Sequence, residues 1–181
     1  DAGTVRRELS DGTRIDFSDD SGWMALHYTS AGGHAEATAV LCAAGVDVDA
    51  VGSKGRTALH HAAEMGHGAI ADALLEAGAD ADFCANDGWR PLQFAAQSGA
   101  VGVLESLLRC GVDVNAASDA GVTPLVAAAT YGHADAARLL LSHDADATPT
   151  VRGKTALEWA EARGHTETAQ VLAGAGAKQP A

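Results

Sequence analysis

The chain has 181 residues and a formal net charge of −12, with hydrophobic residues at 47%, charged residues at 20% and aromatic residues at only 4%. That length suits one domain or one repeat array with a sizeable core, which Ala, Leu and Val must build in place of aromatic rings. The acidic balance excludes a general nucleic-acid or anionic-membrane surface, both of which reward a basic footprint, and no apolar run approaches the ~20 residues a membrane span needs.

Residues 1–19 open on Asp1, with no basic and apolar leader. Gly12 precedes Gly22 by the same interval that separates Gly45 from Gly55, which puts Val5 and Leu9 at core positions of a helix. The segment therefore reads as an N-terminal half-repeat or cap, or the cut end of a longer array, with an unstructured leader as the alternative. From residue 20 a unit recurs, over about 20–52, 53–85, 86–117 and 118–148. Each unit opens on a turn glycine (Gly22, Gly55, Gly88, Gly121), spaced by 33 residues, with Gly153 following 32 later. A short helical stretch comes next, as in TALHHAAEM, and a second glycine breaks it (Gly33, Gly66, Gly99, Gly132, then Gly164). A second helix follows with apolar residues at helical spacing, such as Ile70, Leu74 and Leu75, or Val103, Leu107 and Leu108. It stops at Gly45, Gly78 or Gly111, with Asp144 where the next glycine is due. Asp47, Asp80, Asp113 and Asp146 keep the same period. A shorter capping unit spans 149–176, and 177–181 reads as a flexible tail.

Period, glycine columns and the strings Thr57-Ala58-Leu59-His60, Thr123-Pro124-Leu125, Thr155-Ala156-Leu157 and Gly78-Ala79-Asp80 together resemble the ankyrin-repeat family over nearly the whole chain. The resemblance implies an all-α solenoid of stacked helix-turn-helix units, with β-hairpin fingers and a curved outline. It also implies an intracellular protein-protein interaction module, an adaptor or scaffold, whose concave groove and finger tips take an extended peptide or partner surface.

His60, His61, Glu64 and His67 fall within eight positions and raise the question of a metal or acid/base site. The period answers it. His60 has a counterpart in His27, and His67 has counterparts in His34, His133 and His165, so these rings do work that each unit needs. In the family such histidines hold adjacent turns together. His61 alone has no periodic explanation, and one histidine beside Glu64 makes a poor metal site. No phosphate loop, serine-elbow or zinc-protease motif is present. The expectation is a protein that is not an enzyme and takes no metal or cofactor. Cys42 aligns with core leucines, while Cys84 and Cys110 fall near loops. Three cysteines without pairing motifs suit reduced thiols in the cytoplasm or nucleus.

Function is expected in the variable columns. The residue after each finger glycine is Trp23, Arg56, Trp89, Val122 or Lys154, and two residues beyond each unit's first leucine stand Tyr28, His61, Phe94, Ala127 and Trp159. Met65 and Tyr131 precede the second glycine of their units. Six of the eight aromatic residues lie in these columns. Trp23, Tyr28, Arg56, His61, Met65, Trp89, Arg90, Phe94 and Tyr131 are the expected partner-binding residues, with Trp23 and Trp89 at exposed finger tips. Lys54, Arg56, Arg90, Arg152, Lys154 and Arg163 place half of the twelve Lys and Arg residues on the same face. The expected partner is a protein segment with aromatic or apolar anchors and acidic residues, lying across the first three units. A structural spacer within a larger protein is the alternative, but it would need no aromatic columns.

Overall fold

The computed structural model describes residues 2–4, 6 and 17–176. From residue 17 onward the helices pair in chain order: α1 (Ala25–Ala31) with α2 (Ala35–Ala43), α3 (Ala58–Met65) with α4 (Gly68–Glu76), α5 (Pro91–Ser98) with α6 (Val101–Arg109), α7 (Pro124–Tyr131) with α8 (Ala134–Ser142), and α9 (Ala156–Arg163) with α10 (Thr166–Gly176). Residues 2–4 and 6 are also helical, and Arg6 pairs with Glu36 of α2 at 2.9 Å. Val5, Leu9 and Gly12, on which the N-terminal half-repeat reading rests, lie outside the described residues, as does the tail 177–181.

Local chemistry sets each boundary. Thr123 and Thr155 cap α7 and α9 by accepting the amides of Val126 and Glu158, both at 3.3 Å. Pro91 and Pro124 occupy first-turn positions, where no amide hydrogen is needed. Asp47, Asp80, Asp113 and Asp146 each accept the amide two residues on, at 2.8 to 3.1 Å, so the periodic aspartates are turn-makers. Two glycines answer a double demand. Gly99 and Gly132 have φ of 71° and 82°, and an added Cβ would meet the rings of His133 and His165 at 2.5 Å. Those rings donate through Nε2 to the carbonyls of Gln97 (2.9 Å) and Thr130 (3.1 Å), tying each unit to the one before. Asp144, in the third glycine column, takes the left-handed conformation with φ 63°.

The first helices of successive pairs pack on one another, as do the second helices, giving two layers. In the first layer Ala62, Ala63, Ala95, Ala96, Ala128, Ala129 and Ala160 are fully buried, and their small side chains permit close helix approach. Leu59, Leu74, Leu104, Leu107 and Leu140 fill the space between layers. The fingers are tighter than the expected hairpins. Each is closed by a hydrogen bond across its base, such as Gly52 amide to Arg56 carbonyl (2.9 Å) or Ala85 amide to Trp89 carbonyl (2.8 Å). Among the described residues only isolated bridges occur, Ser18 with Met24 and Val151 with Lys154, and no extended strand. The chain passes straight from the finger base into the next helix cap, leaving no length for a ladder.

Candidate interaction surface

The fingers and the first-helix layer share one face. Its rings form two groups, and neither is fully open. Trp23 is half-buried: its Nε1 donates to Ser53 Oγ at 3.0 Å, and its ring lies 4.5 Å from His61, 5.0 Å from Tyr28 and 5.9 Å from His27. The Tyr28 hydroxyl donates to Asp19, which lowers the carboxyl pKa of Asp19 and raises that of the phenol. Trp89 packs against Phe94 at 5.0 Å, and Phe94 meets His60 edge-on at 5.6 Å.

Several expected contact residues are therefore withdrawn from solvent. Phe94 is only 2% exposed and His61 only 6%: Trp89 of the same unit's finger packs on Phe94, and Trp23 of the preceding unit's finger packs on His61. Trp23 and Trp89 lie folded back along the face instead of standing at free tips. Arg56 stacks over Phe94 at 4.3 Å and pairs with Glu64 at 3.1 Å, so its charge is already met. Arg90 pairs with Asp82 at 3.1 Å. Tyr28 (54% exposed), Met65 (52%) and Tyr131 (49%) do present large apolar area outward.

The histidine cluster divides by role. His60 Nδ1 accepts the Thr57 amide at 3.1 Å, which leaves the proton on Nε2 to face the Trp89 carbonyl at 3.3 Å. His27 does the same between Met24 and Arg56, at 3.0 and 3.2 Å. Gln93 replaces the imidazole one period later, accepting from Arg90 and donating to the Ala116 carbonyl at 2.8 Å. Burial pushes His60 down to about 4, and pushes His61 there too, with His27 and Arg56 adding to the effect on His61. His61 sits among Trp23, His27 and Glu64, its Nδ1 3.9 Å from the carboxylate and its buried Nε2 without a hydrogen-bond partner. Among the described residues no group of three or more His, Cys, Asp or Glu side chains is placed to hold a metal ion. Cys42 is half-buried against the core, whereas Cys84 and Cys110 are exposed.

The open part of the face lies further along the chain than expected. A cleft of about 400 Å³ has Trp89 and Phe94 on one side, Trp159 on the other, and Val122, Val126 and Ala127 as its floor. Its cause is compositional. The fourth unit carries small residues in both columns: Val122 where the preceding unit has Trp89 and the cap has Lys154, and Ala127 between Phe94 and Trp159. Tyr131, Thr130 and Gln97 complete the near wall, and Arg152 and Arg163 stand at the far end. Trp159 is fixed by an Nε1 bond to the Val151 carbonyl (3.1 Å), with Lys154 and Arg163 over its ring at 5.3 and 6.0 Å. The columns contained this signal, but a search for large residues passes over a gap made by small ones.

Among the described residues no helix is long and apolar enough to cross a membrane. No curated protein matches the chain. The family model described as Ankyrin repeats (3 copies) matches residues 2–87 and 92–180. Ankyrin repeats are generally protein-protein interaction modules and typically non-catalytic. On that match, and on the two-layer stack of helix pairs, the chain belongs to the ankyrin-repeat family.

Proposed function

We propose that this array is a protein-recognition module, an intracellular adaptor or scaffold that seats an extended peptide, or an extended edge of a folded partner, across its finger and first-helix face. The carrying observation is the cleft between Trp89 and Trp159, an apolar recess of a size that takes one or two side chains. Exposed Tyr131 and Met65 extend the apolar surface along the same layer, and aromatic residues are enriched where interfaces concentrate their energy. In this reading the units run over 20–52, 53–85, 86–117 and 118–148, with 149–176 as the cap. The array is not an enzyme: the His60 ring is committed to holding turns together, and His61 is enclosed. The free cysteines suit a reducing compartment.

The test uses the whole chain as bait for cell extracts, with Tyr131→Ala and Met65→Ala against Glu105→Ala on α6. Tyr131→Ala should reduce capture of specific partners about tenfold, since truncating an interface anchor commonly costs that much. Glu105→Ala should leave capture unchanged, and all three variants should melt with the parent. Capture that survives Tyr131→Ala and Met65→Ala but is abolished by Glu105→Ala would move the binding face to the second-helix layer.

A further inference from the structure

The far end of the cleft differs from the rest of the molecule in charge and in backbone. Arg152 and Gly153 form a two-residue turn closed by reciprocal bonds between Val151 and Lys154, at 2.9 and 3.1 Å. Both turn residues are left-handed, with φ of 53° for Arg152 and 73° for Gly153. Turns of this kind favour Asn-Gly or Gly-Gly, and an arginine bears strain there that asparagine would relieve. Among the described residues Arg152 has no hydrogen bond and no ion pair, and Arg163 makes only its contact with the Trp159 ring. Lys154 is partly matched, because it helps the Thr155 amide and hydroxyl keep Glu158 below its usual pKa.

The rest of the chain makes this local charge informative. With a net charge of −12, an acidic ligand is repelled over most of the surface. Of the other cationic side chains on the same face, Arg56 and Arg90 are neutralised by Glu64 and Asp82, and Lys54 is not among the residues that line the cleft. The cleft lining also carries two carboxylates, Glu64, which is paired with Arg56, and Asp87, which accepts the Trp89 amide at 3.2 Å. Arg152 and Arg163, the two guanidinium groups of the lining without an ion pair among the described residues, outweigh Asp87 and form a local attractor for a carboxylate, and guanidinium geometry suits a two-point contact with one. We propose that the cleft recognises a short acidic-apolar peptide motif, an aliphatic or aromatic side chain seated on Val122, Val126 and Ala127 with a neighbouring Asp or Glu held by Arg152 and Arg163. This rests on the recognition reading above and adds the polarity and direction of the ligand: the acidic residue lies toward the cap, and the apolar anchor toward Trp89.

Random linear peptides displayed on phage, selected against the whole chain, provide the probe. Selected sequences should carry Asp or Glu beside Leu, Ile or Phe. Synthetic copies, followed by fluorescence anisotropy, should lose about tenfold in affinity when that acid becomes Gln or Asn, and should weaken with added salt. Arg152→Asn should weaken binding by a similar factor while raising the melting temperature, because the change relieves the turn as it removes the charge. Arg163→Gln should weaken binding as well. Arg138→Gln, which removes a cation on α8 already paired with Asp135 and Glu167, should not. If selected peptides are neutral or basic yet are lost with Tyr131→Ala, recognition stands and the proposed polarity falls. If Arg152→Asn stabilises the protein without touching affinity, the strained arginine is not a contact and the proposal fails. If no peptide is selected, both the proposal and the recognition reading fail.

Discussion

Trp23 and Trp89 occupy equivalent places two periods apart, yet one lies in a closed cluster and the other at the edge of a cleft. The difference lies in one column. Beneath Trp23, in the following unit, stands His61, whose ring fills the space at 4.5 Å. The equivalent residue beneath Trp89 is Ala127, which leaves the recess open toward Trp159. A repeat scaffold thus makes a binding pocket by leaving a side chain small where its neighbours are large. Exposure at a given column is then a property of two adjacent units and not of one.

The closed contacts can be broken first. Phe94 is nearly inaccessible and touches Trp89, His60 and the Arg56 guanidinium. Phe94→Ala should cost about 3 kcal/mol, within the usual range for buried aromatic truncation, measured by chemical denaturation. Arg56 and Glu64 should lose their alignment with it. A loss below about 1 kcal/mol would mean that the face collapses over the cavity.

Acid should act on the same region. Histidine in the unfolded chain titrates near 6.5, whereas His60 in the fold is held at about 4. Above pH 6.5 both states are neutral and nothing is lost. As pH falls below that value the unfolded chain takes up the proton first, so stability declines until about pH 4, by roughly 3 kcal/mol for His60. His61 and His27, also lowered by burial, add to the loss in the same direction. Gln93 accepts the equivalent cap amide and donates to the nearby Ala116 carbonyl without titrating, so His60→Gln should keep stability at pH 7 and flatten the decline between pH 6.5 and 4. An equally steep decline in that variant would assign the acid sensitivity to other groups.

Turning the open region into a closed one sharpens the comparison further. Val122→Trp places a ring in the finger column of the fourth unit, beside the recess. Binding of peptides selected on the parent chain should fall at least about tenfold, while the melting temperature holds or rises as the recess fills. Unchanged binding would mean that the recess is not where the ligand sits.

The architecture was legible in the sequence because each unit repeats its own turn and helix signals, and four columns agree on one spacing. The histidine columns were legible for the same reason. What escaped was set between units. Phe94 and His61 looked like groove residues because their column faces the groove, but His61 lies under the tryptophan of the preceding unit's finger, and Phe94 lies between its own unit's Trp89 and Arg56 of the preceding unit. Arg56 looked like a free cation, since nothing in the spacing shows that it bridges to Glu64 and stacks on the ring of the next unit. The cleft escaped because Val122 and Ala127 are unremarkable residues whose meaning depends on Trp89 and Trp159.

The smallest predicted effect lies at the junction between the fourth helix pair and the last. Asp144 stands where Gly45, Gly78 and Gly111 end the other second helices, and it shares their left-handed conformation. At Gly45, Gly78 and Gly111 an added Cβ would meet nothing within 4 Å, so crowding is not the issue at this kind of position. The cost is conformational: left-handed backbone is unfavourable for a residue with a Cβ, though less so for aspartate than for most. Asp144→Gly removes that strain but gives the unfolded chain more freedom, which offsets part of the gain. The net effect should be a stabilisation of about 0.5–1 kcal/mol, a shift of roughly 1–4 °C for a domain of this size. In a stacked array such a gain is felt first by the adjoining units, so amide exchange in α9 and α10 should slow before the whole-chain melting curve moves. The Asp144 carbonyl accepts from Asn115 Nδ2 at 3.4 Å, a main-chain contact that glycine keeps. If exchange in α9 and α10 quickens instead, the aspartate side chain contributes more at this junction than its backbone strain removes.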